Sequence, residues 1–237
     1  MIFGLRPVLE AIEAGREISK VLIRKGLEGK LIASLRQNDI PSQVVPVEKL
    51  DRVTRKNHQG VIAFVSPVEY VRVENLVPTL FEKGEIPFIV ACEGVTDVRN
   101  VGAIARTAEC AGAHAILLPV KGSAMISADA VKTSAGALNH IAVCRTDNLK
   151  SSLIFLKNSG LKIIAATEKT GEAYHRADLS GPAVLLLGAE DTGISAQCLQ
   201  TADVTVKIPV KGQISSLNVA AAAAVMMYEM IKQNEQI

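Results

Sequence analysis

Three short clusters carry the polar side chains that an otherwise apolar C-terminal half does not need in order to fold. The first, EGVTDVRNVGAIARTAECAG over residues 93–112, offers Asn100 and Arg106. Asn100 stands at the expected N-cap of a helix, Gly102 lets another group approach its first turn closely, and Arg106 lies inside the helix. Arg106 serves either an i,i+3 pair with Glu109 or an anionic or hydroxyl-bearing ligand. The second cluster, AVLLLGAEDTGIS over 183–195, ends an apolar run at Gly188 and places Glu190 just before Gly193. Glycine there permits a ligand to come near the backbone, while the acidic residues also suit the start of a following helix. The third, VTVKIPVKGQISSLNVAAAAAVMMYEM over 204–230, runs from a β-rich segment, Val204 to Ile208, through Pro209 and Gly212 to Ser215 and Ser216. Those serines are placed to cap a helix from Leu217 to Ile231. That helix is apolar on nearly every face, which implies burial, and at about 15 residues it falls short of the ~20 that cross a bilayer. Asn218, a polar amide in its first turn, is either part of a capping cluster or faces a ligand at the helix N-terminus.

The elements that hold these clusters alternate. Strands are expected at Phe88–Cys92, Ala115–Leu118, Ile141–Cys144, Ile163–Ala166 and Val184–Leu187. Helices are expected at Val101–Ala111, Ser127–Leu138 and Leu149–Ser159. Strands apolar throughout, separated by helices, indicate a parallel sheet covered on both faces. Ligands in such sheets lie beyond the C-terminal strand ends, where the unusual polar residues fall.

Residues 1–65 read as a separate small α/β domain in the order α-β-α-β-α-β. Helices are expected at Leu5–Ala14, Glu28–Gln37 and Glu48–Arg55, and strands at Ile18–Arg24, Gln43–Val47 and Val61–Val65. The run RVTRKNHQG, residues 52–60, is either a solvated turn or an RNA-contacting loop. Pro67, Pro78 and Pro87 frame a segment read as a linker, 68–86, with a short helix around Val73–Glu82. The expected division is therefore 1–67, linker 68–86, and 87–237.

Composition narrows the function. Of 237 residues 49% are hydrophobic and 21% charged, as in an ordinary soluble protein. Aromatic residues make up only 3% and Trp is absent, which disfavours an aromatic platform for stacking bases. The net charge of +2 is small, but residues 1–70 hold 11 Lys/Arg against 8 Asp/Glu, pointing a polyanion toward that part. Cys92, Cys110, Cys144 and Cys198 contain no CxxC pair and read as buried free thiols in a reducing compartment. His58, His114, His140 and His175 have no metal-ligand spacing, so no metal is expected. MIFGLRPVLEAIEAG is neither signal peptide nor membrane anchor, and a cytoplasmic location is expected.

No GxGxxG follows a strand, GLEGK lacks the spacing of a phosphate loop, and there is no GxSxG elbow or HExxH. Instead NVGAIART, LLLGAEDTGIS and IPVKGQISSLNVAAAAAV, in that order at strand–helix junctions, resemble the three motifs of the SpoU (TrmH-type) ribose 2′-O-methyltransferases of the SPOUT superfamily. FGLRPVLEAI, NHQGV at 57–61 and TSAGAL at 133–138 resemble its rRNA guanosine 2′-O-methyltransferase subgroup. The resemblance spans essentially the whole chain. It departs where the family often has Asp-Pro before the first-motif Asn, since Asp97-Val98-Arg99 stands here.

What the resemblance implies is specific. The fold would be α/β, a parallel sheet with a C-terminal trefoil knot, preceded by an N-terminal domain like ribosomal protein L30e that binds RNA. S-adenosyl-L-methionine would touch Thr167, Gly188, Ile208 and Leu217, largely through backbone groups, in a homodimer formed by the knotted domain. Asn100 and Arg106 would serve the acceptor ribose, with Glu190, Ser216 and Asn218 completing the site. The family picture makes Arg106 the general base. A guanidinium pKa above ~12 favours clamping a phosphate or polarising the 2′-hydroxyl instead. The target would be a guanosine of large-subunit rRNA, chosen through residues 1–65. Two other classes are a non-enzymatic RNA-binding protein or resistance factor on this fold, and a nucleotide-dependent oxidoreductase, which the missing glycine fingerprint disfavours.

Overall fold

The computed structural model describes residues 1–27, 29–38 and 40–235, the side chain of Lys30 excepted. The chain divides into two compact units, Met1–Glu69 and Tyr70–Ile237.

The first unit contains β1 (Ile2–Phe3), α1 (Leu5–Glu13), β2 (Ile18–Arg24), α2 (Lys30–Gln37), β3 (Ser42–Val45), α3 (Val47–Val53) and β4 (Val61–Val65). The start expected for the second helix, Glu28, lies outside the described residues. The strands form one sheet in the order β1-β4-β2-β3. β4 runs antiparallel to β1 and β2, and β3 runs parallel to β2. Alternation along the strands splits the apolar residues between two faces. Val21, Ile23, Val61 and Ala63 meet Val8, Ile12, Leu31 and Leu35 of α1 and α2. Leu22, Val45 and Ile62 meet Leu50 of α3.

The second unit opens with β5 (Tyr70–Val71) and α4 (Val73–Glu82), then β6 (Phe88–Cys92), α5 (Val98–Cys110), β7 (Ala115–Pro119) and α6 (Ala128–Thr133). It continues with β8 (Ala142–Thr146), α7 (Leu149–Asn158), β9 (Lys162–Ala166), β10 (Ala183–Leu187), α8 (Ala196–Leu199), β11 (Val204–Val206) and α9 (Val219–Glu235). The sheet order is β11-β9-β10-β6-β7-β8-β5, and every pairing is parallel. All five residues of β10 are buried, as a strand covered on both faces requires. Each large aliphatic side chain there contributes roughly 1.5–3 kcal/mol.

Several expectations need correcting. The segment read as a linker, 68–86, is part of the second unit from Tyr70 onward. β5 pairs with β8, and Val73 and Val77 of α4 are buried in the main core. The helix expected over Ser127–Leu138 breaks after Thr133, because the Ser134 hydroxyl donates to the Val131 carbonyl and accepts the Leu138 N–H. Ala135 and Gly136 then take φ of 51° and 90° before a short 3₁₀ turn, Ala137–Asn139. Cys110 is exposed, unlike the other three cysteines, because it closes the outer face of α5.

The last helix differs most. It begins at Val219, not Leu217, and Asn218 rather than Ser215 or Ser216 caps it. The Asn218 Oδ1 accepts the N–H groups of Ala220 and Ala221 at 3.0 and 3.3 Å. Only one face is covered within this chain, by burial of Val219, Ala223, Met226, Met227 and Met230, while Ala221 and Tyr228 are exposed. At the far end of α9, Gln233 Oε1 accepts the Leu179 N–H and Asn234 Oδ1 accepts the Gly181 N–H, both at 2.8 Å. Among the described residues no helix is long and apolar enough to cross a membrane.

Candidate functional site

The sheet of the second unit has its topological switch between β6 and β10, where an open α/β sheet ordinarily leaves a crevice. Here the loops close it. Gly94 has φ 71°, and a Cβ built on it would lie 3.0 Å from the Ala189 Cβ. Glu93 binds across the gap twice, donating its N–H to the Leu187 carbonyl and accepting the Ser195 N–H on its carboxylate at 2.9 Å.

The cavity opens one strand further on, at the C-terminal ends of β9, β10 and β11, with a volume of about 280 Å³. Thr167, Gly188, Ile208 and Leu217, the four cofactor candidates, all line it, as do Ser216 and Glu190. Thr167 is buried beneath it, its N–H donated to the Val206 carbonyl and its hydroxyl accepting the Lys169 N–H. The rim is apolar where Val210 and Leu217 are exposed. Sequence reasoning missed Glu168, Asp191 and Lys207, which also line the cavity. Their signal was adjacency, since each flanks a residue already singled out at a strand end.

Two glycines make room for the chain itself. A Cβ at Gly188 would run into the peptide joining Gly193 to Ile194. Gly188 therefore has to admit the chain's own returning loop, and its backbone lines the cavity besides. That loop is closed by the Gly193 N–H donating to the Ala189 carbonyl at 2.9 Å, with Gly193 at φ 67°. Glu190 projects from the turn so formed. A Cβ at Gly102 would meet Thr133 Cβ at 2.8 Å and the Ala130 carbonyl at 3.0 Å, so the group that approaches the first turn of α5 closely, as expected, is α6.

Beside the cavity three distant segments are tied together. One carboxylate oxygen of Glu190, Oε1, accepts from Asn100 Nδ2 at 3.2 Å, Asn218 Nδ2 at 2.5 Å and the Val219 N–H at 3.3 Å. Asn218 Nδ2 also donates to Asn100 Oδ1 at 3.0 Å. The amide orientation of Asn218 follows from its bonds, because its oxygen already accepts the first N–H groups of α9. A carboxylate beside the first N–H groups of a helix is also favoured by the helix dipole. Asn100 reaches this network because it is not the N-cap of α5. Asp97 is, accepting the Arg99 N–H at 2.8 Å and pairing with the Arg99 guanidinium at 2.9 Å. That pair draws the Asp97 carboxyl below its ordinary range and occupies the charge that Arg99 adds near the site.

Arg106 is the site candidate that joins neither group. It is exposed on α5, six residues and roughly 9 Å along the axis from Asn100, and it makes no ion pair with Glu109 or any other described residue. Among the described residues no group of three or more His, Cys, Asp or Glu side chains could hold a metal ion.

Known proteins share this architecture and sequence. Residues 87–228 match the SpoU rRNA Methylase family, and residues 1–71 match the family described as RNA 2′-O ribose methyltransferase substrate binding. YacO of Bacillus subtilis (strain 168), a protein named for the TrmH family of tRNA/rRNA methyltransferases, is 30% identical over 240 residues, covering 100% of this chain and 96% of that one. The crystal structure of an AdoMet-bound rRNA methyltransferase from Sinorhizobium meliloti superposes with a TM-score of 0.62 at 26% identity, covering 96% of this chain and 85% of the other. That of an RNA 2′-O ribose methyltransferase gives 0.58 at 26% identity, with 98% and 87% covered. With its parallel seven-stranded sheet, its cavity at three strand ends and these matches over its full length, the chain belongs to the SpoU rRNA Methylase family, a family of RNA methyltransferases.

Proposed function

We propose that the chain transfers a methyl group from S-adenosyl-L-methionine to a ribose 2′-hydroxyl of RNA, at a guanosine of large-subunit rRNA. The observation that carries this reading is the joining of Asn100, Glu190 and Asn218, from three separate sequence clusters, beside a cavity lined by Thr167, Gly188, Ile208 and Leu217.

The cavity fits the cofactor on its own chemistry. Ala166, Ile208, Val210 and Leu217 supply apolar surface for a flat heterocycle. Glu168, Glu190 and Asp191 outnumber Lys207 in the lining, which suits a ligand with a sulfonium and an ammonium against one carboxylate. When bound, the cofactor supplies a methyl group already activated for in-line displacement.

What remains for the protein is alignment and the hydroxyl proton. Asn100 and Glu190 order the cavity wall, and Ser216 lines the cavity as a small hydrogen-bonding group. Arg106 clamps the phosphate next to the target ribose and polarises the 2′-hydroxyl, a role that a permanently charged guanidinium can fill. Its lack of contact with the cavity of its own chain fits a homodimer of the second unit, in which each cavity receives part of its acceptor site from the neighbour. The outer face of α9, with exposed Ala221 and Tyr228 and half-buried Val225, supplies apolar surface for that contact. A trefoil knot formed by the segments after β10 and β11, RNA binding by residues 1–67 and a cytoplasmic location belong to the same reading. tRNA is the alternative substrate.

The test is incubation with tritiated S-adenosylmethionine and unmodified rRNA or tRNA transcripts, followed by mapping of the alkali-resistant ribose. Label in a 2′-O-methylguanosine of large-subunit rRNA is expected, and label confined to a base or absent from every RNA refutes the reading. Arg106→Ala should abolish transfer while cofactor affinity stays within about twofold. Equal loss of both moves Arg106 into the cofactor cavity.

A further inference from the structure

One end of the small sheet in Met1–Glu69 collects four chain segments: the exits of β1, β2 and β3 and the start of β4. Hydrogen bonds tie them together. The Gly4 N–H donates to the Val61 carbonyl at 3.0 Å, Arg24 N–H to the Gly60 carbonyl at 2.7 Å, and Lys25 N–H to the Val45 carbonyl at 3.2 Å. Exposed cations crowd the same end. Arg24 and Lys25 leave β2, Arg6 opens α1, and the Lys56 ammonium lies 5.5 Å from the centre of the Phe3 ring. Among the described residues Arg24, Lys25 and Lys56 make no ion pair. Arg6 pairs with Glu10 at 3.0 Å, a hydrated contact with the arginine side chain 86% exposed.

The turn at the centre of this end is held in an uncommon shape. Gln59 has φ 49° and Gly60 has φ 83°, and Gln59 is one of two non-glycine residues with positive φ among the described residues. Buried His58 locks it. Its Nδ1 accepts the Gly60 N–H at 3.0 Å, so Nε2 carries the proton and donates it to Asp51 at 2.9 Å. Gln59 Oε1 accepts the Leu5 N–H at 3.3 Å, which leaves the two Nε2 protons of an exposed side chain without a partner among the described residues. Glycine would take this backbone more cheaply, and glutamine keeps an outward carboxamide there.

Resting on the RNA methyltransferase reading, we infer that this end of the small sheet is the surface that grips the substrate RNA. Arg6, Arg24, Lys25 and Lys56 hold phosphates of an unpaired stretch, and the Gln59 amide reads the edge of one base. Phosphate contacts supply affinity and salt dependence, while an exposed carboxamide supplies discrimination in single-stranded or looped RNA.

The test uses the full-length protein and filter binding to unmodified transcripts of large-subunit rRNA, with a random-sequence RNA of equal length alongside. Arg24→Gln with Lys25→Gln should weaken both RNAs about tenfold or more at 100 mM salt. It should also reduce the slope of log affinity against log salt by roughly two, one for each phosphate no longer neutralised. Gln59→Gly should keep or raise Tm, lose threefold or more on rRNA, and leave the random RNA unchanged. Arg36→Gln, at the opposite end of the sheet, should leave both affinities unchanged, and S-adenosylmethionine affinity should hold in all variants. Should the double variant fail to fold, Lys56→Gln carries the same expectation with a slope change near one. Wild-type RNA affinity in the folded variants overturns the inference, as does an equal loss in Arg36→Gln. A wild-type protein that methylates no RNA refutes the activity instead.

Discussion

Asn218 donates to Glu190 at 2.5 Å, and through that contact the cap of the last helix is welded to the loop leaving the central strand β10. Because Glu190 also accepts from Asn100 and Val219, its removal loosens α5, α9 and the cavity wall together. Glu190→Ala should cost about 1 kcal/mol, discounted for an exposed carboxylate, or a Tm drop of roughly 2–4 °C. Cofactor affinity, read by calorimetry, should fall roughly tenfold. Glu190→Gln, which keeps an acceptor oxygen, should recover most of the stability.

Gly188→Ala tests whether the glycine serves the chain or the ligand. An added methyl drives into the Gly193–Ile194 peptide, so the 189–193 turn must shift. The expected cost is about 2 kcal/mol, as for overpacking in a filled interior. Cofactor binding should be lost with it. A variant of wild-type Tm that merely binds the cofactor weakly would show that the space belongs to the ligand.

Asp203 predicts an acid-sensitive contribution. Desolvation pushes its carboxyl up, but the Lys157 ammonium at 2.7 Å and the Ile163 N–H at 2.9 Å outweigh it and hold the group below its ordinary range. A lowered folded-state pKa gives stability that is present above the unfolded value, about 3.9, and lost as pH falls through the folded one. Asp203→Asn should therefore lower Tm by a few degrees at pH 7. The gap from wild type should close as pH drops below about 4, which a thermal-melt series over pH 3–7 reads directly.

Thiol reactivity follows burial. Desolvation raises the thiols of Cys92 and Cys144 to about 12 and that of Cys198 to about 11, whereas Cys110 lies at the surface. At pH 7.5 a maleimide should label one thiol in the native protein, none in Cys110→Ser, and four in the guanidinium-unfolded wild type.

The parallel sheet was legible because its strands are short, uniformly apolar and regularly spaced. β6 in that sheet, and β2 and β4 in the small one, stand where the pattern set them. Helix starts were less legible, since Asp97, Asn100, Ser216 and Asn218 are all good caps by residue type. Only the tertiary network decides which of them caps and which crosses to another segment. The glycines were legible only in part for the same reason. Sequence says that a Cβ is excluded at Gly102 and Gly188, but what excludes it, α6 in one case and the returning loop in the other, is a fact of packing. The division at residue 67 followed the prolines, whereas β5 and α4 joined the larger sheet because Val73 and Val77 find their apolar partners there.

The far end of α9 gives the chain's final turns a duty in the middle of the sheet. Leu179 and Gly181, on the way into β10, have their amide protons held by Gln233 and Asn234. Fraying of the terminal turn would thus be felt at the mouth of the best-protected strand. Those two loop amides should exchange with solvent in step with the helix terminus rather than with the loop around them.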